Sequence, residues 1–393
     1  MMHFLKKNTL IVIYNFIFFF ICYGVWVDSK WSYFSSLSVF FLALNSFYFS
    51  LQKLNKKHKI KGLYRKFIPT LQIEYLFVIS VLIIVSHIVS LGQIPTLKAM
   101  TLTTNDEVAL VRQNISIETS LYMAYLSSFT IKAILPFSIL ILLIKKRKIL
   151  YITLIIVACI YAFSLMQKST ILTILLPTLI YAFIKKDYLN AFISSTLVIT
   201  LTIALTYIAN PAISTTKIKQ TETNRTEIKT KNESSSITKV LIGLKKRIIL
   251  VPGKMVSIWF EHIPANLPYL GINGYGFISK IRGLNHHEYG KEMYPLVYQK
   301  QEIKGTLNAA SFMYDYANFG LKGLVFSGLL LAISFLFIES IFKGYFTIKL
   351  SLNLYSILVL SSSSLTTLLF SGGWSLIVIL FYLYKEELKY EEQ

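Results

Sequence analysis

A chain of 393 residues that is 54% hydrophobic and 15% aromatic, with a mean hydropathy of +0.57, is too apolar for one soluble core. Its formal charge of +21 would point to nucleic acid in a soluble protein. Here lysine and arginine gather in short tracts at the ends of apolar runs, where such residues orient membrane spans, and the sequence argues against a nucleic-acid partner. Long unbroken apolar runs favour helices over the alternating pattern of a membrane barrel. The expected fold class is therefore all-α: a polytopic membrane helix bundle of about ten transmembrane helices with one large periplasmic loop.

From the N-terminus, MMHFLKKNTL leads into an apolar run without a small-residue cleavage site, which reads as an uncleaved first helix. The predicted spans are Asn8–Val27, Tyr33–Leu51, Thr70–Leu91, Ser120–Ile144, Leu150–Leu165, Thr170–Ile184, Tyr188–Ile208, Leu324–Ile341, Leu350–Phe370 and Trp374–Tyr384. The polar break Gln167, Lys168, Ser169 predicts a tight turn between the fifth and sixth. Residues 1–209 thus hold seven spans, 210–322 form one long polar loop, and 323–393 hold three spans and a tail. Cys22 and Cys159 lie within spans, with no disulfide framework and no metal-ligand spacing. Within the membrane, Glu74 lies close to a span end and Lys132 lies deeper. Intramembrane charges of this kind are candidates for function or for pairing inside the bundle.

Positive charge sets the orientation. One set of connections carries Lys6, Lys7, Lys53, Lys56, Lys57, Lys59, Lys61, Arg65, Lys66, Lys145, Lys146, Arg147, Lys148, Lys185, Lys186, Lys343, Lys349, Lys385 and Lys389; the short connections opposite carry only Lys30, Lys98, Arg112 and Lys168. Nineteen against four predicts cytoplasmic termini and an outward-facing long loop.

Inside that loop, residues 212–236 are rich in Ser, Thr, Lys and Glu and read as a solvated linker. Residues 237–251 place Ile237, Leu241, Leu244, Ile248 and Val251 at helical spacing, which predicts a basic amphipathic helix ended by Pro252-Gly253. Its apolar face suits either the membrane interface or the protein's own outer surface. GINGYG at 271–276 lies outside any strand–helix unit and reads as a turn. Arg282, Asn285, His286, His287, Glu288 and Lys291 then crowd one stretch, followed by Thr306, Asn308, Tyr314, Asp315, Tyr316 and Asn318. Arginine can hold a phosphate or diphosphate with a bidentate fork, and a histidine or carboxylate can take a proton from a sugar hydroxyl. For His286-His287 a solvated pair competes with that role, and for Arg247 in the KKR tract a solvated face does.

The segment GTLNAASFMYDYANFGLKGLVFSGLLLAI, residues 305–333, resembles the O-antigen polymerases of the Wzy type, the oligosaccharide repeat-unit polymerases. The likeness rests on Gly305-Thr306, Asn308, Tyr316-Ala317-Asn318-Phe319-Gly320 and Gly323, with Val251-Pro252-Gly253, Trp259-Phe260, Ile263-Pro264 and Leu270-Gly271 upstream. One departure is that neither Arg247 nor Arg282 has a glycine eleven positions later, where Ile258 and Met293 stand. The resemblance implies glycosyl transfer at the periplasmic face of a bacterial inner membrane. A growing glycan on undecaprenyl diphosphate passes to a hydroxyl of an incoming lipid-linked repeat unit, with no nucleotide sugar, metal or other cofactor required. It further implies that Arg247 and Arg282 stabilise the leaving diphosphate, with Arg112 and Lys168 as weaker candidates for that role. His286, His287, Glu288 or Asp315 would orient or deprotonate the acceptor, and Tyr289, Asn308, Tyr316 and Asn318 would bind glycan. Implied partners are membrane lipid and a chain-length regulator and flippase of the same pathway. Two alternatives stay open: an O-antigen ligase, and a lipid-linked oligosaccharide flippase.

Overall fold

The structure is a computed structural model, and it describes residues 2–57, 72–104, 107–108, 110–111, 119–208, 243, 246–247, 249–285, 287–298 and 305–388. Among these, every regular element is helical. The main ones, in chain order, are α1 (Thr9–Ser29), α2 (Phe34–Lys57), α3 (Ile73–Ser90), α4 (Leu121–Ile144), α5 (Lys148–Ser164), α6 (Lys168–Ile184), α7 (Tyr188–Ile208), α8 (Val251–His262), α9 (Gly276–Ile281), α10 (Tyr289–Tyr298), α11 (Ser311–Phe319), α12 (Leu321–Ile341), α13 (Phe346–Val359), α14 (Leu365–Leu369) and α15 (Trp374–Leu388). Seven stretches are long and apolar enough to cross a membrane: α1, Phe34–Leu54, α3, α4, α7, α12 and Leu365–Leu388. Lys148–Ser164, Ser169–Ile184 and Phe346–Val359 are apolar but shorter. Ten drawn spans thus become seven long helices and three short ones. At the C-terminal end, α13 stops at Val359, and the last long stretch is interrupted over residues 370–373.

The chain divides into two compact units. Unit 1 comprises Met1–Phe67, Thr238–Gly344 and Ser356–Leu368; unit 2 comprises Ile68–Ile237, Tyr345–Tyr355 and Leu369–Gln393.

In unit 1, α2 and α12 pack closely because Gly328 presents no side chain. A methyl there would lie 2.8 Å from the Leu44 amide nitrogen. Phe40 and Phe312 stack with ring centroids 4.4 Å apart, and Phe18 lies edge-on to Phe312. The start of α8 corrects an expectation. Pro252-Gly253 opens a helix as well as following one: residues 246, 247 and 249 are helical, Leu250 is a turn, and proline fits the next helix's first turn, where its missing N–H costs nothing. Gly253 then meets α1 backbone to backbone: a methyl on it would land on Gly24 and Val25. At the other end of α1, the carboxylate of Glu339 from α12 accepts the Leu10 N–H at 2.9 Å and the Tyr48 hydroxyl. Gln52 donates to Asn8 Oδ1 at 2.6 Å beside them. A helix start leaves N–H groups without partners and favours negative charge, so a buried acid from α12 caps the first span.

In unit 2, tight turns follow α4, α5 and α6 at Lys146, Met166 and Lys186, whose φ angles are 55°, 55° and 60°. The break expected at Gln167–Ser169 is found, with α5 ending at Ser164 and α6 starting at Lys168. Lys145 Nζ donates to the Glu387 carbonyl at 2.6 Å, and Arg147 lies 3.7 Å from Glu74. Polar groups pair inside the unit: His87 Nδ1 with the Tyr161 hydroxyl at 2.6 Å, and the Trp374 indole N–H with Asn353 Oδ1 at 2.7 Å. Helix α4 widens into a π turn over Thr130–Ile134.

Candidate functional site

The described residues between 251 and 320 in unit 1 fold as helices with stitched connections. The site is organised around α11. Residues 305–310, outside any helix, lead into it, and Gly320, with φ 62°, ends it and turns the chain into α12. A side chain is disfavoured at Gly320 by its φ of 62°, with the Tyr269 ring 3.2 Å from where a methyl would lie, and is barred at Gly323, where it would strike the Asp315 carbonyl. The glycines of the YANFGLKG stretch therefore let the first turn of the membrane helix lie directly on α11.

Three tyrosines tie the outer segments to that helix. Tyr289 donates to the Ala317 carbonyl at 2.7 Å and accepts the Leu270 N–H at 3.2 Å. Tyr316 donates to the Ile263 carbonyl at 3.3 Å, and its ring lies against Phe260. Tyr275 donates to Asp315 Oδ1 at 2.6 Å. GINGYG forms a 3-10 turn at Gly271–Gly274, as a turn was expected, and Gly274 is pressed onto the Asn318 amide with no room for a methyl. From below, the Trp259 indole N–H donates to the Leu307 carbonyl at 2.9 Å.

Electrostatics single out one pair. Asp315 is 6% exposed, and burial pushes its carboxyl above the ordinary value, an effect the Tyr275 hydrogen bond partly offsets. Tyr275 is itself pushed up, by burial first and then by the charge of Asp315. A carboxyl held above its ordinary value suits proton transfer better than an ordinary surface carboxylate. Arg282 sits one short helix away at the end of α9, exposed, with Nη1 donating to Asn273 Oδ1 at 2.9 Å. That bond holds the guanidinium while leaving most of its donors free for an anion.

The remaining expected residues fall into four groups. His287 and Glu288 are exposed and paired locally, His287 Nδ1 3.0 Å from Glu292 Oε1 and Glu288 2.9 Å from Lys291 Nζ. Asn308 is exposed on the non-helical run before α11, whereas Tyr289, Tyr316 and Asn318 are buried. Arg247 is helical and exposed, and Lys168 is the first residue of α6. Arg112, His286, the 212–236 linker and most of the 237–251 amphipathic helix lie outside the described residues. Sequence reasoning passed over the Tyr275 hydroxyl. The Asn273–Arg282 bond was missed too, since nine residues of separation across a turn leave no periodic signal.

Compared with known protein families, curated proteins and solved structures, the chain matches none.

Proposed function

We propose that the protein is a membrane glycosyltransferase that polymerises lipid-linked oligosaccharide repeat units at the periplasmic face of the bacterial inner membrane, with both termini in the cytoplasm. The observation that carries this reading is the Tyr275–Asp315 pair, on a helix packed against the first turn of a membrane-spanning one and accompanied by the tethered, exposed Arg282. The charge asymmetry of the connections and the resemblance of residues 305–333 support the same reading.

In the proposed reaction the ionised Asp315 takes the proton of an acceptor hydroxyl directly or through Tyr275. The acceptor oxygen bonds to the anomeric carbon of the donor glycan, the bond from that carbon to the diphosphate oxygen breaks, and undecaprenyl diphosphate leaves with the electron pair. Arg282 opposes the charge that develops on the diphosphate, where a fixed donor is worth most. Arg247, exposed on the same connection, is assigned the same role.

The test is the surface glycan of a bacterium lacking this gene. Single repeats attached to their lipid anchor, with polymer restored by the wild-type gene, are expected. Loss of all attached glycan would overturn polymerisation in favour of ligation. Complementation with Arg282→Ala should lower polymer about a hundredfold or more at equal protein level, and Arg282→Lys should restore it only in part because lysine lacks the planar fork. Full polymer from Arg282→Ala would remove this residue from the site.

A further inference from the structure

The stretch Thr130-Ile-Lys-Ala-Ile-Leu-Pro136 in α4 carries the oddest backbone of the membrane-spanning part. Pro136 has no N–H to offer the carbonyl four residues earlier, that of Lys132, and its ring crowds that carbonyl. The helix answers by widening into the π turn Thr130–Ile134, where Leu135 N–H reaches back to the Thr130 carbonyl. Such widenings recur at functional positions. Lys132 is the middle residue of this one.

A second irregularity faces it. Residues 370–373 interrupt the last long apolar stretch, and Gly373 takes a φ of 77°. A methyl on Gly373 would lie 3.2 Å from Ala133 Cβ and 3.4 Å from Lys132 Cβ. Ser128 ties the break to α4 by donating to the Ser371 carbonyl at 3.0 Å. Non-helical backbone at membrane depth survives only where protein covers it or water reaches it. Depth follows from register, since α4 and α15 run in the same direction and meet where Lys145 binds the Glu387 carbonyl. Thirteen residues separate Lys132 from Lys145, and fourteen separate Gly373 from Glu387. At 1.5 Å per residue both lie roughly 20 Å from that end, about two thirds of the way through a hydrocarbon core of about 30 Å.

The charge at that depth is unmatched. Lys145 and Arg147 each have a carboxylate, whereas among the described residues no carboxylate or hydrogen-bond acceptor is within bonding reach of Lys132. Its stem starts against Gly373, and the residue is half-buried, with the first N–H groups of α15 beginning beside it. A charge kept inside a membrane without a partner marks a ligand or ion path, and lysine binds phosphate as a point charge.

We infer that Lys132, with the Ser371–Trp374 break beside it, forms an intramembrane binding site for the phosphoryl group of a membrane lipid. The site belongs to unit 2 and stands whether or not unit 1 transfers sugars.

Native mass spectrometry of the full-length protein in detergent tests this, with phosphatidic acid, phosphatidylcholine or inorganic phosphate added. Wild type should retain one phosphatidic acid that Lys132→Met loses by about tenfold or more, that Lys132→Arg keeps, and that the exposed-site variant Lys148→Met does not affect; phosphatidylcholine retention should not change. Equal retention of phosphatidic acid by wild type and Lys132→Met would overturn the site. Retention of inorganic phosphate in a Lys132-dependent manner would overturn the lipid source. Should Lys132→Met fail to insert, a photoactivatable phosphatidic acid on wild type decides. Cross-links within Thr130–Ile134 or Phe370–Trp374 are expected, and cross-links found only elsewhere would sink the proposal.

Discussion

Two buried acids of unit 1 sit near opposite ends of the same membrane helix, and they behave differently. Glu339, at the last turn of α12, is met by the backbone N–H of Leu10 and the hydroxyl of Tyr48. Asp315, just before the first turn, is met by the Tyr275 hydroxyl and is pushed above the ordinary carboxyl value by burial. The first charge is used up in closing a helix end, at a place where a backbone donor would otherwise lack a partner. The second is held in a state that a modest change in surroundings can tip, beside a segment rich in exposed polar groups. A buried carboxylate therefore says little by itself. Both acids accept a tyrosine hydroxyl, and what separates them is that Glu339 also closes a backbone donor of another span.

Substitution can break that distinction. The largest effect is expected at Asp315→Asn, which keeps the shape and removes the proton acceptor. Polymer formation should fall about a hundredfold or more, while the amount of protein in the membrane stays level or rises. Wild-type polymer from this variant would make Asp315 a second Glu339.

Glu339→Ala should show the reverse pattern. Leaving the Leu10 N–H and Tyr48 without their acceptor costs on the order of 1–3 kcal/mol, read as a lower unfolding temperature in detergent and less protein in membranes. Polymer per molecule should be unchanged. Reduced polymer at full protein level would contradict a purely structural Glu339.

Tyr275→Phe sharpens the comparison through pH. The Tyr275 hydrogen bond lowers the Asp315 carboxyl from where burial alone would put it, so its removal should move the acid limb of activity to higher pH. Ionising Asp315 also works against the fold. With its folded value raised above 3.8, its contribution to stability is fully present below that ordinary value and is lost as pH rises through the raised one. A pH–activity profile that does not move in Tyr275→Phe would separate Asp315 from the reaction.

The smallest effect belongs to His287→Ala, which removes one exposed pair with Glu292. Stability should change by no more than about 0.5 kcal/mol, with a near-normal polymer ladder. A strong loss of polymer would move the base from Asp315 to His287.

Much of the scaffold can be read from sequence because lipid forces each span to be apolar and helical. Tyr188–Ile208 coincides with its predicted bounds, and the polar Gln167 break marks a real turn. Pro252-Gly253 could not be read so simply, because proline before a helix and proline after one look alike until the flanking turn is known. The glycines around Asn318 were legible as a motif, and their meaning as contact points emerged only with Tyr269, Asp315 and Asn318 against them. Site geometry was the hardest to anticipate. Tyr275 and Asp315 are 40 residues apart and Trp259 and Leu307 are 48 apart, distances over which hydropathy carries no information about who meets whom.

The seam between Gly24 and Gly253 has a consequence for how the protein is made. The first span leaves the ribosome long before its partner helix exists, and at about 5–20 residues per second the wait is on the order of ten seconds or more. During that interval α1 presents an unfilled notch to whatever surrounds it in the insertion machinery. The backbone groove must stay vacant until residue 253 arrives, so assembly of this unit is ordered in time. A bulkier residue at position 24 would act during biogenesis, before any catalytic step could be affected.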